Sequence, residues 1–164
     1  MRKKPLTWQI ETTEKYIRVQ LNGGLNEDFP FKDLIAELKG KETLTLQLDL
    51  SQIQRINSMG IREWFNFLRA LAWPSTIILS ECSTIFTQAL SQIKELAHKC
   101  FVTSCHLSVW CSSCEDDFDA RIELNQNLLD QKVEFPCPRC GQVCAAEMWG
   151  IEDIVKKQAN HNAI

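Results

Sequence analysis

Cys111-Ser112-Ser113-Cys114 and Cys137-Pro138-Arg139-Cys140 form two Cys-x-x-Cys knuckles separated by 22 residues. Each such turn aims two thiolates at one point, and two turns complete a tetrahedral four-sulfur shell. Thiolates select zinc over harder cations such as magnesium or calcium. The second knuckle is flanked by Pro136 and Gly141, which favour the tight turn and free backbone N–H groups to point at sulfur. The 22-residue separation slightly exceeds the usual range for such pairs. Residues Phe118 to Leu129 are expected to fill it as a hairpin or a short helix. A shell of four cysteines leaves no position for water, so Cys111, Cys114, Cys137 and Cys140 imply a structural Zn2+ site rather than a catalytic one.

The chain has eight cysteines and shows no export signal: the basic Met1-Arg2-Lys3-Lys4-Pro5 is followed by Thr7, Gln9 and Glu11 rather than an apolar run. Reduced thiols and a cytoplasmic location are therefore expected instead of a disulfide framework. Cys82, Cys100 and Cys105 lie in apolar, strand-like context and read as small core residues. Cys144, four residues after Cys140, and His106, near the first knuckle, remain alternative ligands. His98 ends a helical pattern, and His161 lies in the C-terminal tail. Asp116, Asp117 and Asp119 read as a solvated acidic loop. No Ser/His/Asp, Cys/His/Asn or paired-carboxylate constellation is present, nor a glycine-rich phosphate loop, so the expectation is a non-enzymatic protein.

A second chemically suggestive segment is Asn57-Ser58-Met59-Gly60. It sits where the strand-like Leu44-Thr45-Leu46-Gln47-Leu48-Asp49-Leu50 hands over to an amphipathic helix from Ile61 to Ala72. A hydroxyl here meets the unpaired N–H groups of a helix start, where α/β sheets commonly place ligand or partner sites.

The elements around these sites follow from periodicity. Leu6–Glu11 and Tyr16–Leu21 read as strands, with a break at Asn22-Gly23-Gly24. Phe29, Phe31, Leu34, Ile35 and Leu38 recur at helical spacing, with Gly40 as a stop. In the helix after the turn, Ile61, Trp64, Phe65, Leu68, Leu71 and Ala72 form the apolar stripe, which leaves Phe67 outside it. Trp73-Pro74 ends that helix. Ile77-Ile78-Leu79 is a buried strand, and a third helix capped by Ser83 or Thr84 carries Ile85, Phe86, Ala89, Leu90 and Ile93. Cys100–Val109 is a last strand. The order β-β-α-β-α-β-α-β predicts an α/β fold with a mixed sheet, and the expected division is residues 1–106 and 107–164.

Composition is that of a globular protein, with 45% hydrophobic and 24% charged residues. No segment approaches the ~18 to 20 apolar residues that cross a bilayer. Residues 1–110 carry 13 basic and 11 acidic residues, and residues 111–164 carry 5 and 10. The acidic tail is a poor match for a phosphate backbone and argues against nucleic acid.

Leu48-Asp49-Leu50-Ser51 leading to Ile56-Asn57-Ser58-Met59-Gly60-Ile61, with Val19-Gln20-Leu21-Asn22-Gly23-Gly24-Leu25-Asn26 upstream, resembles the STAS domain of anti-sigma-factor antagonists. The resemblance covers roughly residues 6–104, and a bacterial subgroup with a cysteine-rich tail is similar to the whole chain. It implies a STAS-like mixed sheet with helices packed on it. It also implies docking to an anti-sigma or other signalling protein through Asn26, Asn57, Ser58, Met59 and Gly60, with Ser58 at the family's phosphorylated position. A phosphate there would gain from the helix dipole. The chain departs from the family at Asn57 and Asn26, which replace aspartates, and at Gly24 and Met59. Those changes weigh toward simple helix capping by Asn57 or Ser58 over a phosphoswitch. The alternative function is sensing of a nucleotide or another small molecule, which two neutral asparagines suit better than two carboxylates. The oligomeric state is left open.

Overall fold

In the computed structural model, residues 6–73, 76–148 and 150–161 are described. The basic N-terminal pentapeptide and Pro74 lie outside them, as does the side chain of His161.

Strands β1 (Thr7–Thr12), β2 (Tyr16–Leu25), β3 (Thr45–Ile56), β4 (Ile77–Ser80) and β5 (Cys100–Val102) form one sheet in the order β1-β2-β3-β4-β5. The β1–β2 pair is antiparallel and the remaining pairs are parallel. Helices α1 (Phe31–Leu38), α2 (Ser58–Ala70) and α3 (Thr84–Gln92) make the crossovers. The expected mixed α/β sheet is therefore present.

Leu46, Leu48 and Leu50 of β3 are fully buried, as are Val19 and Leu21 of β2 and Leu79 of β4. The expected break at Asn22–Gly24 is instead part of β2. The strand continues to Leu25 with register shifts between Gln20 and Asn22 and between Gly23 and Gly24. Gly23, at φ 123°, supplies the backbone freedom that such an irregularity requires.

Helix α2 begins earlier than its apolar pattern suggested, at Ser58. Gly60, Trp64, Phe67 and Leu68 are buried on it. Phe67, which the expected stripe left outside, is therefore a core residue. It packs edge-on against Phe29 at 5.5 Å between ring centroids and lies 5.7 Å from Trp64. Phe65 stays half-buried. Trp64 Nε1 donates to the Leu96 carbonyl at 2.9 Å, so the buried indole keeps its partner.

The expected strand Cys100–Val109 divides at Thr103. After β5 the chain leaves the sheet as β6 (Ser104–Cys111), which pairs antiparallel with β7 (Asp116–Glu123). The anticipated acidic loop is thus the start of a strand. A 3-10 turn at Gln126–Asp130 follows, then the small hairpin of β8 (Glu134–Pro136) and β9 (Val143–Ala145), and finally helix α4 (Ile151–His161). The expected boundary at 106/107 falls inside β6.

Two contacts seat the β6–β7 hairpin on the main sheet. Cys82, just after β4, bridges to Cys105: its N–H donates to the Ser104 carbonyl at 3.1 Å, and its carbonyl accepts from His106 N–H at 2.8 Å. Glu81, at φ 50°, forms the second contact through its side chain. Helix α4 then packs against the 126–130 turn and α3 and reaches the β5 edge of the main sheet, burying Ile151, Ile154 and Val155.

Candidate functional site

The two knuckles sit at hairpin tips. Cys111 ends β6 and Cys114 lies in the turn before β7; Cys137 and Cys140 lie in the turn between β8 and β9. The Cys111, Cys114, Cys137 and Cys140 sulfurs all lie within 4.8 Å of one another. The Cys111–Cys140 separation is 3.5 Å and the Cys114–Cys137 separation is 3.8 Å. Tetrahedral zinc–thiolate bonds of about 2.3 Å place sulfurs ~3.8 Å apart, so the donor set and its spacing fit such an ion. Among the described residues these four form a cluster able to hold a metal.

The backbone prepares the thiols for that role. In the second knuckle Gly141 N–H donates to the Cys137 carbonyl, and Cys137 N–H to the Gln142 carbonyl, both at 2.8 Å. Gly141 adopts φ 76°, so its expected role in the turn is met. The N–H groups of Cys140 and Arg139 draw the Cys137 thiol down from its ordinary value against the opposing effect of burial. Burial disfavours charge on Cys111. The N–H of Cys114, the thiols of Cys140 and Cys137 and the N–H of Ser113 nevertheless hold its pKa to about 6. Cys114 is pushed up to about 12, first by its hydrogen bond to Cys140. A divalent cation bound among the four sulfurs displaces thiol protons, so metal binding at such a site is coupled to proton release. Ser112, Ser113 and Gln142 tie the two tips together: Gln142 Nε2 donates to Ser112 Oγ at 3.2 Å, and the Ser113 hydroxyl bonds the Gln142 side-chain oxygen. Arg139 Nη2 reaches Asp116 Oδ2 at 2.7 Å.

Neither alternative ligand is among the four. Cys144 Sγ is directed to the Gln142 carbonyl at 3.4 Å and stands outside the cluster. Burial raises its pKa to about 11. His106 Nε2 meets Glu81 Oε2 at 3.3 Å. Cys82 and Cys105 are core residues, as expected, and burial pushes Cys105 to about 12.

At the second segment, Asn57 caps α2: its Oδ1 accepts from Gly60 N–H at 2.7 Å. The capping residue is thus Asn57, and the Ser58 hydroxyl is not used for it. Asn57, Ser58 and Met59 are all exposed, Met59 at 41%. Asn57 Nδ2 also donates to Glu27 Oε2 at 2.9 Å, a bond that an aspartate at this position would not make. Gly60 is buried where α2 meets the end of β2. A Cβ there would lie 2.0 Å from the Leu25 carbonyl oxygen. Asn26 is buried, with Oδ1 accepting from Asp28 N–H at 2.8 Å to hold the turn after β2. A cavity of about 350 Å³ opens beside this turn, lined by Leu25, Asn26, Arg55, Ile56, Asn57 and Ile85 among others. The candidate edge residues therefore lie together in space, some 30 residues apart in sequence.

Sequence reasoning missed one polar cluster. The Glu81 carboxylate accepts from Arg121 Nε at 2.9 Å and Nη2 at 2.6 Å, from Ser104 Oγ at 2.9 Å and from His106. Arg121, Ser104 and His106 belong to β6 and β7, so no local motif could announce the cluster. No helix among the described residues is long and apolar enough to cross a membrane. No family model matches the chain, and no curated protein matches its sequence.

Proposed function

We propose that the chain is a non-enzymatic protein-interaction module of the anti-sigma-factor-antagonist type. In this reading it has a STAS-like sheet and docks a signalling partner through the α2 N-terminal edge. The observation that carries this is the exposure of Asn57, Ser58 and Met59 together at one helix start, with 40%-exposed Ile85 lining the adjoining cavity. The order of elements and the motifs around Asp49 and Ser58 support the family reading. Ser58 Oγ is free of capping duty, so a phosphate there would add negative charge at the centre of the docking edge. The four cysteines hold Zn2+ as a structural ion that orders the two hairpin tips.

Pull-down from the native host with the wild type, Ser58→Ala and Ser58→Asp tests the docking edge. A protein partner retained by Ser58→Ala and lost on Ser58→Asp supports it. A partner indifferent to both changes removes Ser58 from the interface.

The cavity favours one second reading. Its lining offers Arg55 and the amides of Asn26 and Asn57 beside apolar Leu25 and Ile56, a set suited to a nucleotide or another polar small molecule. A thermal shift on adding nucleotides, abolished by Arg55→Ala, would favour sensing over docking.

A further inference from the structure

The end of the ribbon that carries the four thiols also carries the two most exposed large apolar side chains of the described residues, Trp110 at 56% and Val143 at 61%. Each lies within two residues of the Gln142–Ser112 hydrogen bond that ties the hairpin tips together. Alternation along β6 turns Leu107, Val109 and Cys111 inward and leaves Trp110 outside. Its partner directly across the ladder is Asp117, also exposed. Opposed residues of an antiparallel pair hold their Cβ atoms about 5 Å apart, so the indole and the carboxylate share one small area.

The neighbouring carboxylates divide into engaged and free. Asp116 is held by Arg139 and Asp119 accepts from Thr84 Oγ1 at 2.8 Å. The carboxylates of Asp117 and of Glu115, at the hairpin tip, have no ion-pair or hydrogen-bond partner among the described residues. An indole face attracts a cation through its quadrupole, and an adjacent unpaired carboxylate does so by charge. The two act in the same direction on one group. With residues 111–164 carrying 5 basic against 10 acidic residues, the surroundings repel phosphate and favour guanidinium or ammonium.

We propose that the face formed by Trp110 and Asp117 docks an arginine- or lysine-bearing peptide segment of a partner protein. Trp110 is the anchor and takes the cationic side chain against its ring, and Asp117 pairs with its charge. This surface is distinct from the Ser58 edge and does not depend on it.

The test uses the full-length, metal-loaded chain and fluorescence anisotropy at physiological salt. The probes are a labelled peptide of alternating Gly and Arg, its Gly–Glu counterpart and a labelled single-stranded oligonucleotide. The Gly–Arg peptide is expected to bind and the Gly–Glu peptide not to. Trp110→Ala is expected to weaken binding about two- to fivefold, the range for an exposed cation–π contact. Trp110→Phe should retain part of the binding, Asp117→Asn should weaken it, and Ser58→Ala should leave it unchanged. Metal content and thermal stability of each variant verify its fold. Absence of Gly–Arg binding, or binding by Trp110→Ala equal to wild type, overturns the proposal. So does tighter binding of the oligonucleotide, or a drop in solution mass on Trp110→Ala that marks the face as a contact between copies.

Discussion

Gln158 closes the open edge of the main sheet by bonding both backbone groups of Val102. Its Oε1 accepts from Val102 N–H at 2.6 Å, and its Nε2 donates to the Val102 carbonyl at 3.0 Å. β5 is the edge strand, and one amide from α4 does there what a further strand would do. Helix α4 is held in position for this by Gly150, whose φ of 76° and close approach to the Ser91 carbonyl exclude a side chain, and by the Lys94–Asp153 ion pair.

Gln158→Leu keeps the size and the apolar packing of α4 but leaves both Val102 groups unpaired. Stability should fall by ~2 kcal/mol, in the range for buried backbone groups stripped of their partners. The exposed edge should also make association concentration-dependent. Urea unfolding and light scattering measure the two effects. An unchanged urea midpoint would show that water replaces the amide at no cost.

The amide of Asn57 does two things at once, and a carboxylate can do only one of them. Asn57→Ala removes the cap and should cost ~1 kcal/mol. Asn57→Asp keeps the acceptor for Gly60 N–H but sets a carboxylate against Glu27, in place of the 2.9 Å bond seen here. Adding Glu27→Gln to Asn57→Asp should therefore recover stability, while Glu27→Gln alone should not raise it. Thermal unfolding of the four members of this cycle gives the coupling directly. A coupling near zero would mean that Glu27 moves away freely.

The Glu81 carboxyl is held at about 2 rather than 4.5, first by the Arg121 fork and against burial, with Ser104 and His106 adding to it. A folded-state value below the unfolded one stabilises the fold at higher pH, and that stabilisation is lost as pH falls through the folded value. The contribution of this clasp should therefore be complete above about pH 4.5 and vanish toward pH 2. Glu81→Gln should lower the urea midpoint most at neutral pH, and the gap to wild type should narrow steadily below pH 4.5. A gap that stays constant down to pH 3 would remove the carboxylate charge from the stability of the hairpin junction.

Local and periodic features were legible in the sequence, and long-range ones were not. The knuckles declare themselves because each ligand pair lies within four residues, and β3 does so because Leu46, Leu48 and Leu50 alternate. Phe67 follows Trp64 by three residues and Gly60 by seven, so it shares their buried face; the apolar pattern hid this because Gly60, packed against Leu25, has no apolar side chain to mark that face. The cluster around Glu81 joins residues up to 40 positions apart, and the Gln158–Val102 closure spans 56. Neither polar pair has a periodicity to betray it. The division of β5 from β6 was hidden because apolar residues continue through Thr103 while the strands they pair with change.

The four sulfurs differ in burial, and that separates a ligand's metal role from its packing role. Cys137 and Cys111 belong to the hydrophobic core, whereas Cys140 is exposed and Cys144 is buried without joining the cluster. Cys140→Ser removes one sulfur from the shell and creates no cavity. Metal affinity should fall at least a hundredfold, beyond the ~10–100-fold that follows disturbance of an outer-shell partner, and the melting temperature should fall with it because binding and folding of such tips are linked. Cys144→Ser should cost some packing yet retain one metal per chain. Elemental analysis of both variants, with a chelator titration followed by circular dichroism, tests the pair. Full metal content in Cys140→Ser together with loss in Cys144→Ser would transfer the fourth ligand position from Cys140 to Cys144.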